Sequence, residues 1–363
     1  MSVNKKVGII GGGQLGFMLA QAGLYLGIRS SFLDPNESSP ASLVADGIYK
    51  PFQDIDALKE LANSNDTLTY EFENIDYNAI NAMSCELHPA PSLLQKSQDR
   101  LLEKELCNKL GFETAGFLPI NSEQDLELAA KELGFPFLVK TRRFGYDGKG
   151  QIWIKSADDF MKLEIKPELY IAEAKVPFEL ELSIAAVRSR DNEIRYYPLS
   201  QNWHSDGILR ESSPYQTLVE KNSAEAKLQA HAESIAKSFL ETFDYVGVLS
   251  IEFFLHNGKL LINELAPRVH NSYHWTMTAC KTSQFENHMR AVAGLPLGSC
   301  GLIQPVRLFN CIGAMPNASD CLKVEGLSYY SYHKSPREGR KMGHLILSEP
   351  NEESIKKVRS LMA

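Results

Sequence analysis

The chain has 363 residues, 44% of them hydrophobic, and a formal charge of −7. That apolar content can bury cores for two or three domains, while the acidic balance and the lack of a long basic run exclude an electrostatic footprint for nucleic acid. No eighteen-residue apolar window exists, so no membrane span is expected. Met1–Ile10 runs directly into a strand pattern with no signal-peptide core. The six cysteines lack C-x-x-C spacing, which fits reduced thiols in a cytoplasmic protein better than disulfides or a zinc site.

In chain order, Val7–Ile10, Ser30–Leu33 and Thr67–Phe72 read as strands alternating with helices over Leu15–Leu26, Asp54–Ser64 and Tyr77–Met83. Such alternation implies a parallel sheet flanked by helices. A helix over Asp99–Leu110 links this part to a second unit. There, Ser122 with Asp125 and Ser156 with Asp159 read as capping boxes. Phe137–Lys140, Gly150–Lys155, Tyr170–Val176, Leu180–Val187 and Ile194–Leu199 read as strands of an α+β unit. A third region holds a long helix (Ala224–Phe243) and the strands Val246–Leu255 and Lys259–Leu265, joined by Asn257-Gly258, a strong hairpin signal. The expected domains are 1–115, 116–200 and 201–363.

Gly11–Gly16 (GGGQLG) matches G-x-G-x-x-G after a strand, with Asp34 ending the next one. Its backbone N–H groups would face an anion. NAD, a substrate phosphate, or simple close packing of helix on strand all satisfy that pattern. Lys140–Gln151 (KTRRFGYDGKGQ) is a lysine-ended strand followed by a glycine-rich loop, and it is not a Walker A motif. The loop reads either as a hairpin or as a flap over phosphates, with Arg142, Arg143 and Lys149 offering charge-assisted hydrogen bonds. Lys140 would lie over phosphates as a point charge.

Glu252 and Glu264 lie in otherwise apolar strands, where a carboxylate is costly unless paired or metal-bound. Together they would suit Mg²⁺. A two-residue Asn-Gly loop would set Glu252 opposite Asn263 and turn Glu264 to the other face. Sharing a metal therefore requires a bulge or an odd-length loop. Arg268 could meet a transferred phosphate, and Asn271 a metal or substrate. His270 and His274 lack the helical H-E-x-x-H context of zinc sites. Lys334, Arg337, Arg340 and Lys341 form a basic cluster that reads either as a solvated loop or as a phosphate clamp.

The run Lys140–Gln151, with Tyr70–Glu73 (YEFE), Asn202–Leu209 (NWHSDGIL), Asn263–Arg268 (NELAPR) and Gly339–His344 (GRKMGH), resembles the 5-(carboxyamino)imidazole ribonucleotide synthases nearly end to end. The resemblance implies an ATP-grasp fold in three domains: a Rossmann-like parallel-sheet domain, an α+β lid and an α+β C-terminal domain. It implies ATP-dependent carboxylation of aminoimidazole ribonucleotide through carboxyphosphate. Arg100 and Lys140 would contact phosphates. Gly145, Tyr146, Asp147, Gly148, Lys149, Gly150 and Gln151 would close over them, with Lys140, Asp147, Lys149 and Arg268 serving catalysis. Glu173, Ala174, Lys175 and Val176 would read adenine, Glu181 the ribose, and His204 would sit near the nucleotide.

Glu252 and Glu264 would hold two Mg²⁺ ions beside Asn263. Gln14, Leu15, Glu73, Asn271 and Ser272 would meet the ribonucleotide, Lys334, Arg340 and Lys341 its 5′-phosphate, and Tyr146 and Asp147 would complete the site. Neither NAD nor zinc is expected. A homodimer is expected, with a mutase taking the product, and neither a membrane nor a nucleic-acid partner. The related alternatives are a formate-dependent glycinamide ribonucleotide transformylase and, from another class, an NAD-dependent oxidoreductase. Two positions depart from the family pattern: Tyr273 stands where glycine is usual, and Glu338 where proline is.

Overall fold

The computed structural model describes residues 4–76, 79–80, 86–145, 150–166, 169–215 and 223–362. Its strands form three sheets. The first is parallel: β1 (Lys6–Ile10), β2 (Arg29–Leu33), β3 (Asp46–Ile48) and β4 (Thr67–Tyr70), in the order β3-β2-β1-β4. Helices Gln14–Tyr25 and Ile55–Ser64 connect them, the latter capped by Asp54, whose carboxylate accepts from the N–H groups of Asp56 and Ala57. The helix expected over Tyr77–Met83 falls largely outside the described residues.

The second sheet is antiparallel: β5 (Phe117–Ile120), β6 (Phe137–Thr141), β7 (Gln151–Ile154) and β8 (Tyr170–Ala174), ordered β5-β8-β6-β7. It has its own core, in which Ile120, Leu126, Phe137, Val139, Ile154 and Ala172 pack together. Both capping boxes are present, opening the Glu123–Leu133 helix and a 3₁₀ turn at Ala157–Lys162.

The third sheet holds β9 (Leu180–Arg188), β10 (Ile194–Tyr196), β11 (Ser200–Ser205), β12 (Ile208–Pro214), β13 (Gly247–His256), β14 (Lys259–Ala266), β15 (Val306–Ile312), β16 (Leu327–Ser331) and β17 (Lys341–Ser348). Its order is β14-β13-β9-β11-β12-β15-β17-β16, with β10 on β9. This corrects the expected grouping of 180–199 with the central unit. β9 pairs with β13 along nine residues, so the central sheet ends at Ala174. A run of strands in sequence does not say which sheet each one joins.

One large core joins the first and third sheets: Leu19 and Phe32 from the N-terminal unit share it with Val248, Tyr273, Trp275 and Phe285. The N-terminal loops are thereby fixed against the large sheet, and a cleft remains where all three sheets converge.

Candidate active site

A cleft of about 850 Å³ is lined by residues of all three units, from Gln14 and Glu73 through Lys140 to Lys341. At one end, Lys140 on β6 donates to Glu173 on β8 at 2.6 Å, and Lys104 reaches the same carboxylate oxygen at 3.6 Å. Burial opposes the charge of Glu173, but the two lysines outweigh it and hold the carboxyl at about 2. Burial lowers the pKa of Lys140, with Glu173 opposing. Arg100 reaches Glu264 and the Gly145 carbonyl, both at 3.3 Å. Gly145, Gln151, Leu138 and Phe254 also line this end.

The Glu173 side chain is thus committed to lysines, and neither it nor Ala174, Lys175 or Val176 is among the cleft-lining residues. Arg142, expected to handle anions, is instead held by Asp99 at 2.8 and 2.9 Å, as is Arg143 at 3.3 Å. Tyr146, Asp147, Gly148 and Lys149 lie outside the described residues. The sequence reading missed Lys104 and Glu103, both buried. Glu103 accepts from the Leu265 N–H at 2.7 Å, and burial, then Glu264, lift its carboxyl to about 8. Two adjacent charges in a helix otherwise presenting Leu101 and Cys107 inward were the available signal.

The paired carboxylates carry the expected distortion. The Asn257-Gly258 turn, with φ of 51° and 74°, pairs His256 with Lys259 and Phe253 with Ile262. The register then slips by one, so Glu252 stands opposite Glu264 and Asn263 is the extra residue. Burial raises the Glu252 carboxyl to about 7, and Glu264 adds to the rise while His204 opposes it. Two acidic groups forced together on one face of a sheet fit a divalent cation completed by phosphate oxygens. Among the described residues no cluster of three or more His, Cys, Asp or Glu is positioned to hold a metal by itself.

Beside them, Glu181 on β9 meets His204 Nδ1 at 2.6 Å. Burial disfavours the imidazolium, but its hydrogen bond to Glu181, with the charge of Glu252, outweighs it and raises the pKa. His270 lies 3.7 Å from Glu252 and is held neutral by burial, then by Arg268.

At the opposite end, Arg268 pairs with Glu73 at 2.7 Å, and the Lys334 ammonium donates to the Gln14 side-chain oxygen. Burial, then Arg340, lowers Lys334 to about 8. Leu15, Arg340 and Lys341 line the same corner. Asn271 is on the wall and exchanges hydrogen bonds with Asn310 at 2.9 Å. Ser272 is corrected: it is fully buried, bonded to Ser183 and His270, so its hydroxyl supports the wall from behind. The glycine loop holds an internal carboxylate. Glu71 accepts from the N–H groups of Gly13 and Gly16, and Asp34 from that of Gly12. A pyrophosphate would find those donors taken by side chains.

Comparison with known proteins decides the family. A ribonucleotide synthetase preATP-grasp domain matches residues 4–98, an ATP-grasp domain 105–285, and a phosphoribosylaminoimidazole carboxylase C-terminal domain 307–358. The chain is 42% identical over 348 residues to the N5-carboxyaminoimidazole ribonucleotide synthase of Pseudomonas aeruginosa, covering 94% of each. The Bacillus subtilis protein of that name is 38% identical over 363 residues, covering 97% of this chain and 94% of its own. The crystal structure of the Thermus thermophilus synthetase superposes with a TM-score of 0.91 at 41% identity, covering 98% of both chains. The chain belongs to the N5-carboxyaminoimidazole ribonucleotide synthase family. An Aspergillus clavatus synthase complexed with ADP and 5-aminoimidazole ribonucleotide also superposes, with a TM-score of 0.88 at 28% identity, over 99% of this chain and 98% of that one.

The two departures from the synthase pattern are accommodated differently. Tyr273 sits in a 3₁₀ turn, away from positive φ, and is fully buried against Tyr197 and Trp275. Its hydroxyl lies 2.6 Å from the Ser183 carbonyl and 3.0 Å from that of Pro198. Glu338 is exposed on the cleft rim beside the basic corner.

Proposed function

We propose that this synthase uses ATP to carboxylate the 5-amino group of aminoimidazole ribonucleotide with bicarbonate, giving the N5-carbamate, ADP and phosphate in purine biosynthesis. The observation that carries the reading is one cleft with phosphate-type cations and facing carboxylates at one end and a basic corner at the other. A bicarbonate oxygen attacks the γ-phosphorus and its bond to the ADP oxygen breaks. The amine nitrogen then attacks the carboxyl carbon, the carbon–oxygen bond to phosphate breaks, and the amine loses a proton. Such steps depend on positioning and charge neutralisation.

In this reading Arg100 and Lys140 bind the polyphosphate, and Gly145, Gly150 and Gln151 belong to a loop that excludes water from the labile intermediate. The backbone of 173–176 reads adenine, Glu181 the ribose, and His204 the nucleotide's edge. Glu252 and Glu264, with Asn263 adjacent, would hold Mg²⁺, which supplies charge neutralisation at the phosphates. Arg268 holds the transferred group. Gln14, Leu15, Glu73 and Asn271 contact the ribonucleotide, with Lys334, Arg340 and Lys341 on its phosphate. We place the enzyme in the cytoplasm as a homodimer, with a mutase consuming its unstable product.

[¹⁸O]Bicarbonate tests the bond changes. The attacking oxygen stays with phosphorus, so one ¹⁸O should appear in each phosphate released. Unlabelled phosphate, measured before bicarbonate exchanges with water, would contradict the carboxyphosphate route.

A further inference from the structure

The glycine fingerprint at the N-terminus of the Gln14–Tyr25 helix has no phosphate to serve, because a side chain of the protein fills its place. Glu71, just beyond β4, is 8% exposed. Its Oε1 accepts from Gly13 at 2.5 Å and its Oε2 from Gly16 at 2.8 Å. The helix has no side-chain cap of its own at Gly13. The glycines make room for this carboxylate. A Cβ at Gly11 would stand 2.3 Å from Glu71 Cγ, and one at Gly13 would stand 2.5 Å from Oε1. Burial raises the Glu71 pKa, and the Gly16 and Gly13 N–H groups and Lys334 oppose that rise. Free helical N–H groups and the helix dipole favour the ionised form, and bonds from neutral donors to a carboxylate are among the stronger ones. The turn so fixed carries Gln14, whose side-chain oxygen takes the Lys334 ammonium from the far end of the chain.

We propose that Glu71 is a built-in anion and a positioning residue for the substrate subsite. By occupying the helix N-terminus it locks the 11–16 turn, and through Gln14 it sets Lys334 at the corner that receives the ribonucleotide. The part concerning substrate rests on the function proposed above. The part concerning the internal anion does not.

Glu71→Ala should raise KM for aminoimidazole ribonucleotide by about tenfold, as a misplaced Lys334 loses one charge-assisted contact to it, while KM for ATP stays near the parent value. Added acetate should lower the raised KM again, and acetamide should not. Without substrates, acetate should raise the melting temperature of Glu71→Ala and leave the parent unchanged. That measurement reads the internal anion even if the ribonucleotide reading fails. Glu71→Gln keeps the side-chain volume should alanine not fold. It turns one acceptor into a donor, so it should show the same split in KM. An unchanged ribonucleotide KM, equal rises in both KM values, or no acetate-specific effect on a folded Glu71→Ala would overturn the proposal.

Discussion

Lys140 and Tyr273 show what single side chains do here. Lys140 lies in the cleft 2.6 Å from the Glu173 carboxylate, and Lys104 lies behind it on the same oxygen. Replacing it with alanine leaves Glu173 partnered by Lys104, so the fold should survive. Activity should fall about a hundredfold or more, as removal of a preorganised charge does. Near-parental turnover would remove Lys140 from the phosphate site. Tyr273 belongs to stability instead. Phenylalanine at this position keeps the ring packing and removes the hydrogen bond the hydroxyl donates, costing about 1 kcal/mol. Thermal unfolding should register that loss with KM for ATP unchanged, and an unshifted melting temperature would contradict it. The sequence marked Tyr273 as unusual, but its accommodation depends on Ser183 and Pro198, about ninety and seventy-five residues away. No local pattern contains that information.

Among elements, the β13–β14 hairpin is the one most completely legible beforehand. Parity alone required a one-residue irregularity if Glu252 and Glu264 were to share a face, and the register slip between Glu252 and Phe253 supplies it. Glu264→Gln should therefore raise the Mg²⁺ concentration for half-maximal activity by about tenfold, the loss of one charged ligand contact. An unchanged Mg²⁺ titration would exclude the hairpin as the metal site. The glycine loop was legible as a motif but not in purpose, because Glu71 reaches it from 55 residues along the chain. The strands β11, β12 and β15 to β17 were not resolved as separate elements. Their pairing across the large sheet, more than any local signal, makes them strands.

Across the whole molecule, buried ionisable groups couple stability to pH. His288 bonds Thr69 through Nε2 at 2.8 Å and accepts from the Val248 N–H at 3.2 Å, bridging the first and third sheets. Burial pulls its pKa from 6.5 to about 3. The neutral form is the folded one, so its contribution is complete above pH 6.5 and is lost as pH falls towards 3. Glu103, lifted to about 8 by burial and then Glu264, acts in the opposite direction, since its folded form prefers the proton. The difference between parent and His288→Gln is therefore the diagnostic quantity. Between pH 6 and 4 the parent's stability should fall more steeply than the variant's by about 1.4 kcal/mol per pH unit. Parallel profiles would show that His288 is already protonated in the fold.

The three-unit organisation was readable from texture, whereas the membership of β9 and β10 was not, because only long-range pairing assigns a strand to a sheet. This architecture couples ATP cleavage to one acceptor. The most direct measurement is ADP formation with Mg²⁺ and bicarbonate, with and without aminoimidazole ribonucleotide. That nucleotide should stimulate strongly, and glycinamide ribonucleotide with formate should not stimulate at all. Stimulation by the latter pair, or by no ribonucleotide, would contradict that coupling.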